Sequence, residues 1–463
     1  MRTLAMLFCL LCCFFLVSDL TAQPDQVDPS SLTLDRIITN REFVTKSYGP
    51  VRWLEDGSGF TALERSEGES RADEIVLYEP ASGERKVLVP PSRLVPDGYN
   101  EPLIIDDYFW SPDGKRLLIF TNSERVWREY TRGDYWVLHL ETGELHQVDE
   151  DAEPSMLMFA KFSPQGDRVA FVYDNDIYVE DLESGEINPV TTNGSETIIN
   201  GTFDWVYEEE LKVRDGFRWS PDGEKIAYWQ INTLCVSTFY MINNTDDLYP
   251  SLIPISYPKA GECNPFCSVG IVSASGGKTK WMIVPDEITL SDHYIARMDW
   301  AGNSDEIVFQ RLNRLQNRNE VVLGDAKTRK TRVIHTCKDE AWVNPVDDLF
   351  WLNNGEAFTW LSEWSGWRHL YKVSRNGEKF EPITSGDFDV ISVEHIDAAG
   401  GWVYFIASPE NPTQQFLFRT TIDKANEPER LTPANLQGTH SYQISPDAKW
   451  AIHSWSSFGI PPR

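Results

Sequence analysis

The chain has 463 residues, of which 24% are charged and 41% are hydrophobic, a balance typical of a globular protein rather than a disordered one. Its 71 acidic residues outnumber 42 basic ones and give a formal net charge of −29, which argues against nucleic acid or an anionic membrane surface as the main partner. The length admits roughly two or three ordinary domains or one large repeat architecture.

The first 22 residues predict an export signal. Arg2 supplies a positive charge, Leu4–Val17 form an uninterrupted apolar run, and Thr21 and Ala22 provide a small-residue cleavage site. A run of about 14 residues has the length of a signal-peptide core and falls short of the roughly 20 residues needed to span a bilayer. We therefore expect residues 1–22 to be a signal peptide and the protein to be periplasmic or secreted. The alternative is an uncleaved N-terminal membrane anchor.

One sequence signature recurs along the rest of the chain: an aromatic residue, then Ser-Pro-Asp-Gly or a variant, then an alternating apolar strand. Pro presets φ and Gly accepts the positive φ that follows, so each copy predicts a tight turn between two strands. A further strand follows most copies and ends in a Ser/Thr-Gly-Glu turn, as at Ser82, Thr142 and Ser184. The copies start at or near Trp53, Trp110, Phe162, Trp219, Trp300, Trp351, His395 and Ile444.

The spacing of these copies predicts an all-β fold, an eight-bladed β-propeller over residues 48–463. Successive copies lie about 45 to 57 residues apart, and four short strands per period of this length are typical of a propeller blade. A β-sandwich with chance turns would not repeat one turn sequence eight times. One interval of 81 residues, between Trp219 and Trp300, predicts an insertion at roughly Thr233 to Pro265.

The cysteines that follow the leader are too few for a disulfide scaffold, so the hydrophobic core must hold the fold. Cys263 and Cys267 are close enough in sequence for a local disulfide in an oxidising compartment, although the sequence leaves the pairing open. A zinc site would need a second close pair of Cys or His, and neither Cys235 nor Cys337 belongs to one. No glycine-rich phosphate loop follows a strand. We therefore expect no metal and no cofactor.

One acidic segment, Asp204-Trp-Val-Tyr-Glu-Glu-Glu210, interrupts the repeat just before Trp219. Consecutive carboxylates usually form a solvated surface, but the bulky apolar residues beside these ones indicate that the acids adjoin a buried region. Neighbouring side chains point to opposite faces of a strand, so two adjacent Glu converge on one small cation only from a short helical turn. The α-ammonium of a peptide is such a cation, with three donors and mostly protonated at pH 7.

This segment resembles the double-Glu motif in the propeller domain of the dipeptidyl peptidase IV family, which are serine exopeptidases of the prolyl oligopeptidase group. Tyr257-Pro-Lys-Ala-Gly261 is similar to a second motif of that family and follows in the family's order. The resemblance implies that Glu209 and Glu210 grip the free N-terminus of a substrate peptide. Because an internal peptide segment has no ammonium to satisfy a buried Glu pair, we expect no endopeptidase activity.

Arg128 is the third residue to which the resemblance assigns a role. It matches the propeller arginine that donates a hydrogen bond to a backbone carbonyl of the N-terminal dipeptide. The alternative for Arg128 is a surface ion pair with Glu124 or Glu129. Fixing the ammonium and the first carbonyl leaves room for only two residues before the cleaved bond, so a dipeptide would be released. The resemblance further implies that these N-terminal dipeptides are X-Pro or X-Ala.

The resemblance also implies a catalytic α/β-hydrolase domain, whose nucleophile lies in a Gly-x-Ser-x-Gly elbow. These 463 residues contain no Gly-x-Ser-x-Gly, so we expect that domain to be absent from the chain and the chain to be inactive alone. Residues 23–47 would then be a segment that packs on the missing domain. The expected partners are peptide N-termini and a separately encoded hydrolase domain. The alternative is a non-catalytic exported propeller that binds peptide N-termini or a protein partner.

Overall fold

The computed structural model describes residues 30–40, 42–43, 49–66, 72–283 and 293–463. The predicted signal peptide lies outside these ranges, as does part of the 23–47 segment. The chain divides into two units, residues 1–48 and 49–463. In the described part of the first unit a short π-helical turn covers Asp35–Thr39, and its apolar side chains and those just before it are exposed. Within the described ranges, no helix is long and apolar enough to cross a membrane.

Residues 49–463 form antiparallel β-sheets in which strands that follow one another in sequence are mostly neighbours, so the predicted all-β class is confirmed. The first sheet consists of β1 Val51–Trp53, β2 Phe60–Arg65, β3 Asp73–Tyr78 and β4 Arg85–Val89, and a 3-10 turn covers Pro91–Arg93. The next four strands are β5 Asp107–Trp110, β6 Arg116–Val126, β7 Glu129–His139 and β8 Leu145–Gln147. They are followed by β9 Leu157–Phe162, β10 Arg168–Tyr173, β11 Asp176–Asp181 and β12 Ile187–Pro189. Pairing of β7 with β9 joins these eight strands into one sheet.

The fourth group of strands carries two additions. Its strands are β13 Ile198–Asn200, β14 Phe217–Trp219, β15 Lys225–Asn232, β18 Phe266–Ser273 and β19 Lys280–Trp281. A helix, α1 Trp205–Glu209, lies between β13 and β14. A separate hairpin, β16 Thr238–Asn243 and β17 Ser251–Ser256, lies between β15 and β18. This hairpin falls within the insertion predicted at 233–265.

The remaining strands return to the regular pattern of four. The fifth sheet has β20 His293–Trp300, β21 Glu306–Asn313, β22 Arg318–Asp325 and β23 Thr331–Lys338. The sixth has β24 Trp351–Leu352, β25 Ala357–Ser362, β26 His369–Ser374 and β27 Phe380–Pro382, with a 3-10 turn at Asn353–Gly355. The seventh has β28 Val390–Asp397, β29 Trp402–Ala407, β30 Phe416–Thr421 and β31 Glu429–Arg430. The final hairpin pairs β32 Thr439–Ile444 with β33 Ala451–Ser456.

The recurring turns have the chemistry that their sequence predicts. The Ser111 hydroxyl donates to the Asp113 carboxylate at 2.6 Å and accepts the backbone N–H of Arg116 at 2.9 Å, while Gly114 takes a φ of +67°. In the last copy the same bonds form around Ser445, although Ala448 stands in the glycine position and adopts a φ of 55°. Each turn is therefore closed by partners within five residues of one another.

Hydrogen bonds and apolar contacts tie each sheet to others. Arg116 donates to the Gly166 carbonyl at 3.0 Å, so the second group of strands bonds the third. The indole N–H of Trp53, in β1, donates to the carbonyl of Gln443, in β32, at 3.1 Å, which links the first sheet to the last hairpin. The core lies between neighbouring sheets, where clusters of buried side chains join strands of different groups. One such cluster contains Ala170, Val172, Ile177, Val179, Val190, Phe217, Ile226, Tyr228 and Val272.

The structure settles the cysteine pairing that the sequence left open, and the local Cys263–Cys267 disulfide does not form. Cys263 is bonded instead to Cys235, with the two Cα atoms 6.0 Å apart. The intervening hairpin brings these two residues together at its base, whereas Cys267 is the second residue of β18 and is buried in the core. Cys267 is a buried free thiol, and burial raises its pKa to about 12.

Candidate functional site

The acidic segment forms the helical turn that the sequence predicts. Asp204 is the N-cap of α1, and its carboxylate accepts the backbone N–H of Tyr207 at 3.2 Å. Such a cap satisfies one of the donors that a helix start leaves without an internal partner. Asp204 is itself buried, and this burial raises its pKa to about 6 despite the hydrogen bonds it accepts.

Aromatic residues fix α1 against its surroundings. The buried ring of Tyr207 stacks on Phe203, and its hydroxyl accepts the backbone N–H of Ile295 at 3.2 Å. On the other side, the ring of Trp205 lies 4.4 Å from that of Tyr257, which begins the Tyr-Pro-Lys-Ala-Gly segment. The two motifs singled out in the sequence are therefore in direct contact. Because both flanks are packed, the glutamates of α1 are presented from a fixed base.

The three glutamates differ in exposure. Glu208 is buried and accepts from the guanidinium of Arg214 at 3.3 Å. Glu209 is partly buried, and Glu210, at the C-cap, is exposed. The prediction that Glu209 and Glu210 form a buried pair is therefore wrong for Glu210. Successive side chains of a helix diverge by about 100°, so three consecutive ones cannot all face the interior.

Arg128 lies at the tip of the β6–β7 hairpin and reaches α1. Its Nε donates to Glu209 Oε2 at 2.8 Å, and its Nη2 lies 2.7 Å from Glu209 Oε1. This is a bidentate ion pair between residues 81 positions apart. The alternative partners are occupied elsewhere, since Glu124 pairs with Arg132 and Glu129 lies 3.5 Å from Arg214.

The pairing keeps both groups charged at neutral pH. The hydrogen bond from Arg128 lowers the pKa of the Glu209 carboxyl, and the same bond raises the pKa of Arg128. A guanidinium has five N–H donors, so a bidentate pair leaves three of them for a ligand. Glu210 has no hydrogen-bonding or ion-pairing side-chain partner among the described residues. Four carboxylates around α1, those of Glu129, Glu208, Glu209 and Glu210, face three cations, Arg128, Lys212 and Arg214. The cluster therefore has one net negative charge, which complements a single ammonium group.

Sequence reasoning missed Arg214. It lies six residues beyond Glu208, outside the acidic motif, and it contacts both α1 and the Arg128 hairpin through Glu208 and Glu129. The only sequence signal was an arginine just after an acidic run, which is too common to single out.

Two other features of the described residues lie apart from this cluster. A cavity of about 840 Å³ is lined by residues that include His335, Trp342 and Trp364, and it contains none of the three predicted site residues. No group of three or more His, Cys, Asp or Glu side chains in the described ranges is arranged to hold a metal ion.

Comparison with known proteins agrees with the motifs. The sequence pattern of the family described as "Dipeptidyl peptidase IV (DPP IV) N-terminal region" matches residues 111–462, a stretch that contains Arg128, Glu209 and Glu210. Dipeptidyl-aminopeptidase B of Aspergillus niger is 27% identical over 466 residues, covering 93% of this chain and 51% of that protein.

Solved structures give the same result. The crystal structure of Porphyromonas gingivalis dipeptidyl peptidase 4 superposes with a TM-score of 0.82 at 27% identity, covering 93% of this chain and 59% of that one. A Bacteroides ovatus structure described as a dipeptidyl aminopeptidase IV has a TM-score of 0.69 at 17% identity, which shows likeness of fold alone. The chain spans about half the length of the curated relatives it matches.

Proposed function

This chain belongs to the dipeptidyl peptidase IV N-terminal region family, and we propose that it is the substrate-recognition part of an exported dipeptidyl aminopeptidase. The observation that carries the proposal is the contact between Arg128 and Glu209, which joins a guanidinium and a carboxylate from distant parts of the chain beside a second glutamate, Glu210. Export rests on the apolar segment Leu4–Val17 in the sequence.

In the proposed binding mode, the peptide's α-ammonium lies between Glu209 and Glu210. The donors of Arg128 that Glu209 leaves free bind the first backbone carbonyl. Together the two contacts fix the peptide so that the cleaved bond follows its second residue. The released product is therefore a dipeptide. Relatives named dipeptidyl-aminopeptidase B and dipeptidyl peptidase 4 support this assignment.

For the fold we propose an eight-bladed propeller. Among the described residues of 49–463 there are seven groups of four or five strands and one terminal hairpin, in the order of the eight sequence repeats. The bond from Trp53 to Gln443 supports closure of the first blade against the last. Bond cleavage belongs, in this proposal, to a hydrolase domain with its own serine, since the sequence here has no Gly-x-Ser-x-Gly elbow.

The test compares two ligands that differ only at the amine: the tripeptide Ala-Pro-Ala and its N-acetyl derivative, titrated by calorimetry. We expect the free amine to bind with a Kd between about 0.1 and a few mM, because each charge-assisted hydrogen bond contributes roughly 1.5–3 kcal/mol. The acetylated peptide should bind measurably less well. Glu209→Gln combined with Glu210→Gln should abolish the difference.

A matched control removes the same charge elsewhere. Glu150→Gln with Asp151→Asn alters two consecutive exposed acids and should leave the difference intact. Equal binding of both peptides to the parent chain would mean that the acidic segment is only a solvated surface. That result would reject the proposal. A chromogenic X-Pro substrate should remain uncleaved by the purified chain, which would separate recognition from catalysis.

A further inference from the structure

Arg214 connects the two elements that carry the proposed binding residues. It lies on the segment that returns from α1 to β14. Its Nε donates to Glu208 Oε1 at 3.3 Å, and its Nη2 lies 3.5 Å from Glu129 Oε1. Glu208 directly precedes Glu209, and Glu129 directly follows Arg128. One side chain therefore touches both halves of the recognition site without belonging to either.

We propose that Arg214 is a positioning residue that holds the Arg128 hairpin tip at a fixed distance from Glu209 and Glu210. The inference rests on the proposed function, because it assigns Arg214 to the same peptide site. It adds that the spacing between the ammonium contact and the carbonyl contact is set by Arg214 and not by the Arg128–Glu209 pair alone.

The backbone around Arg214 is itself anchored. Its carbonyl accepts from the Thr202 hydroxyl at 3.4 Å, and the next residue, Asp215, accepts from Lys161 Nζ at 2.6 Å. The following N–H, of Gly216, donates to the Gly201 carbonyl at 2.9 Å. The guanidinium is thus presented from a segment bonded to its neighbours at three consecutive residues.

The Arg128–Glu209 ion pair is a first tether between the hairpin tip and α1, and ligand binding weakens it. A second tether is therefore needed, and we assign it to the contacts of Arg214 with Glu129 and Glu208. When an ammonium binds Glu209, it competes with Arg128 for the same carboxylate oxygens. The hairpin tip is exposed, and any one exposed ion pair holds it only weakly, so two pairs hold it better than one. The contact between Glu129 and Arg214 does not involve Glu209, so it persists while substrate is bound. Arg128 then stays within reach of the peptide carbonyl.

Burial explains why the other end of the tether is firm. Desolvation raises the pKa of Glu208, and the charge of Arg214 acts in the opposite direction. Glu129 and Glu209 also face Glu208 and raise its pKa further. Removal of Arg214 would leave a buried carboxylate without its cation, which is costly. The ion pair with Glu208 therefore holds the Arg214 side chain against α1, and the contact between Arg214 and Glu129 connects that side chain to the hairpin.

The experiment measures binding of Ala-Pro-Ala and its N-acetyl derivative to Glu129→Gln, Arg214→Gln and the double variant. We expect each single change to reduce the preference for the free amine about threefold to tenfold. The double variant should add little, because both single changes already remove the same Glu129–Arg214 contact. Arg214→Lys should restore part of the preference. Glu129→Gln changes only the exposed end of the tether, so it remains informative where Arg214→Gln impairs folding.

The control and a second readout separate this inference from the proposed function. Glu124 lies on the same hairpin with the same 56% side-chain exposure as Glu129, but it pairs with Arg132, so Glu124→Gln should keep the parent preference. Without peptide, amide hydrogen exchange across residues 121–134 should accelerate in Glu129→Gln. If the parent prefers the free amine while Glu129→Gln changes neither this preference nor the exchange rates, the role of Arg214 is overturned and the proposed function stands. If the parent shows no preference, the proposed function fails, and exchange still decides whether the tether exists.

Discussion

The two faces of α1 carry two ion pairs of different character. On the inner face, the side chains of Glu208 and Arg214 are 8% and 24% exposed; on the outer face, those of Glu209 and Arg128 are 19% and 69% exposed. A buried pair is expensive to break because one charge is left without a partner, whereas an exposed pair contributes about 0–1 kcal/mol. We therefore expect the inner pair to fix the helix, and in the proposed binding mode the outer pair exchanges its partner for a ligand.

We expect the largest effect when one arginine at a time is removed, which tests this contrast between the two ion pairs. Arg214→Met should lower the free energy of unfolding by about 2 kcal/mol, because it leaves the buried Glu208 carboxylate without its cationic partner. Arg128→Met removes the same charge from the exposed face and should leave the free energy of unfolding nearly unchanged. Urea unfolding of both variants at neutral pH measures the difference. Equal losses would show that the two faces of α1 are energetically alike.

A smaller effect should follow from the cap that both faces share. Asp204→Ala removes the acceptor of the Tyr207 N–H and should cost about 1 kcal/mol. Because the cap starts the turn that carries Glu209, this variant should also weaken the preference for a free-amine peptide. Asp204→Asn keeps an acceptor at the N-cap and serves as the control. Loss of stability with an unchanged amine preference would separate the helix start from the binding face.

The smallest expected effect is in the pH dependence of the Arg214→Met deficit. Burial raises the pKa of folded Glu208 above its unfolded value, so this group adds stability as pH falls through the folded pKa. Without Arg214 that pKa rises further. The deficit of Arg214→Met relative to the parent should therefore shrink by roughly 0.5–1 kcal/mol between about pH 7.5 and about pH 5. A deficit that is constant over this range would mean that Glu208 does not cause it.

Local chemistry explains which features the sequence could predict. The Ser-Pro-Asp-Gly turns are closed by partners within five residues, as around Ser111, so their sequence determines their bonds. The helical turn at Trp205–Glu209 followed from how neighbouring side chains diverge. These predictions needed no knowledge of distant parts of the chain.

Features that depend on distant contacts were out of reach. The partner of Cys263 depends on the hairpin that brings Cys235 to it, and the exposure of Glu210 depends on how α1 is oriented on its core. The roles proposed for Arg128 and the glutamates came from family resemblance, not from spacing. Arg214 went unnoticed because Glu129 lies 85 positions earlier in the sequence, too far for any local pattern to join them.

The central claim is that the outer face of α1 recognises a protonated peptide amine, and the pH dependence of peptide binding tests it most directly. The α-amine has a pKa of roughly 7.7–8.0, so it loses its charge above about pH 8. Arg128 and Glu209 keep theirs, since pairing raises the pKa of the first and lowers that of the second. The preference for Ala-Pro-Ala over its N-acetyl derivative should be present at about pH 6.5 and absent at about pH 9.5. A preference that is absent at both pH values, or equal at both, would contradict the account.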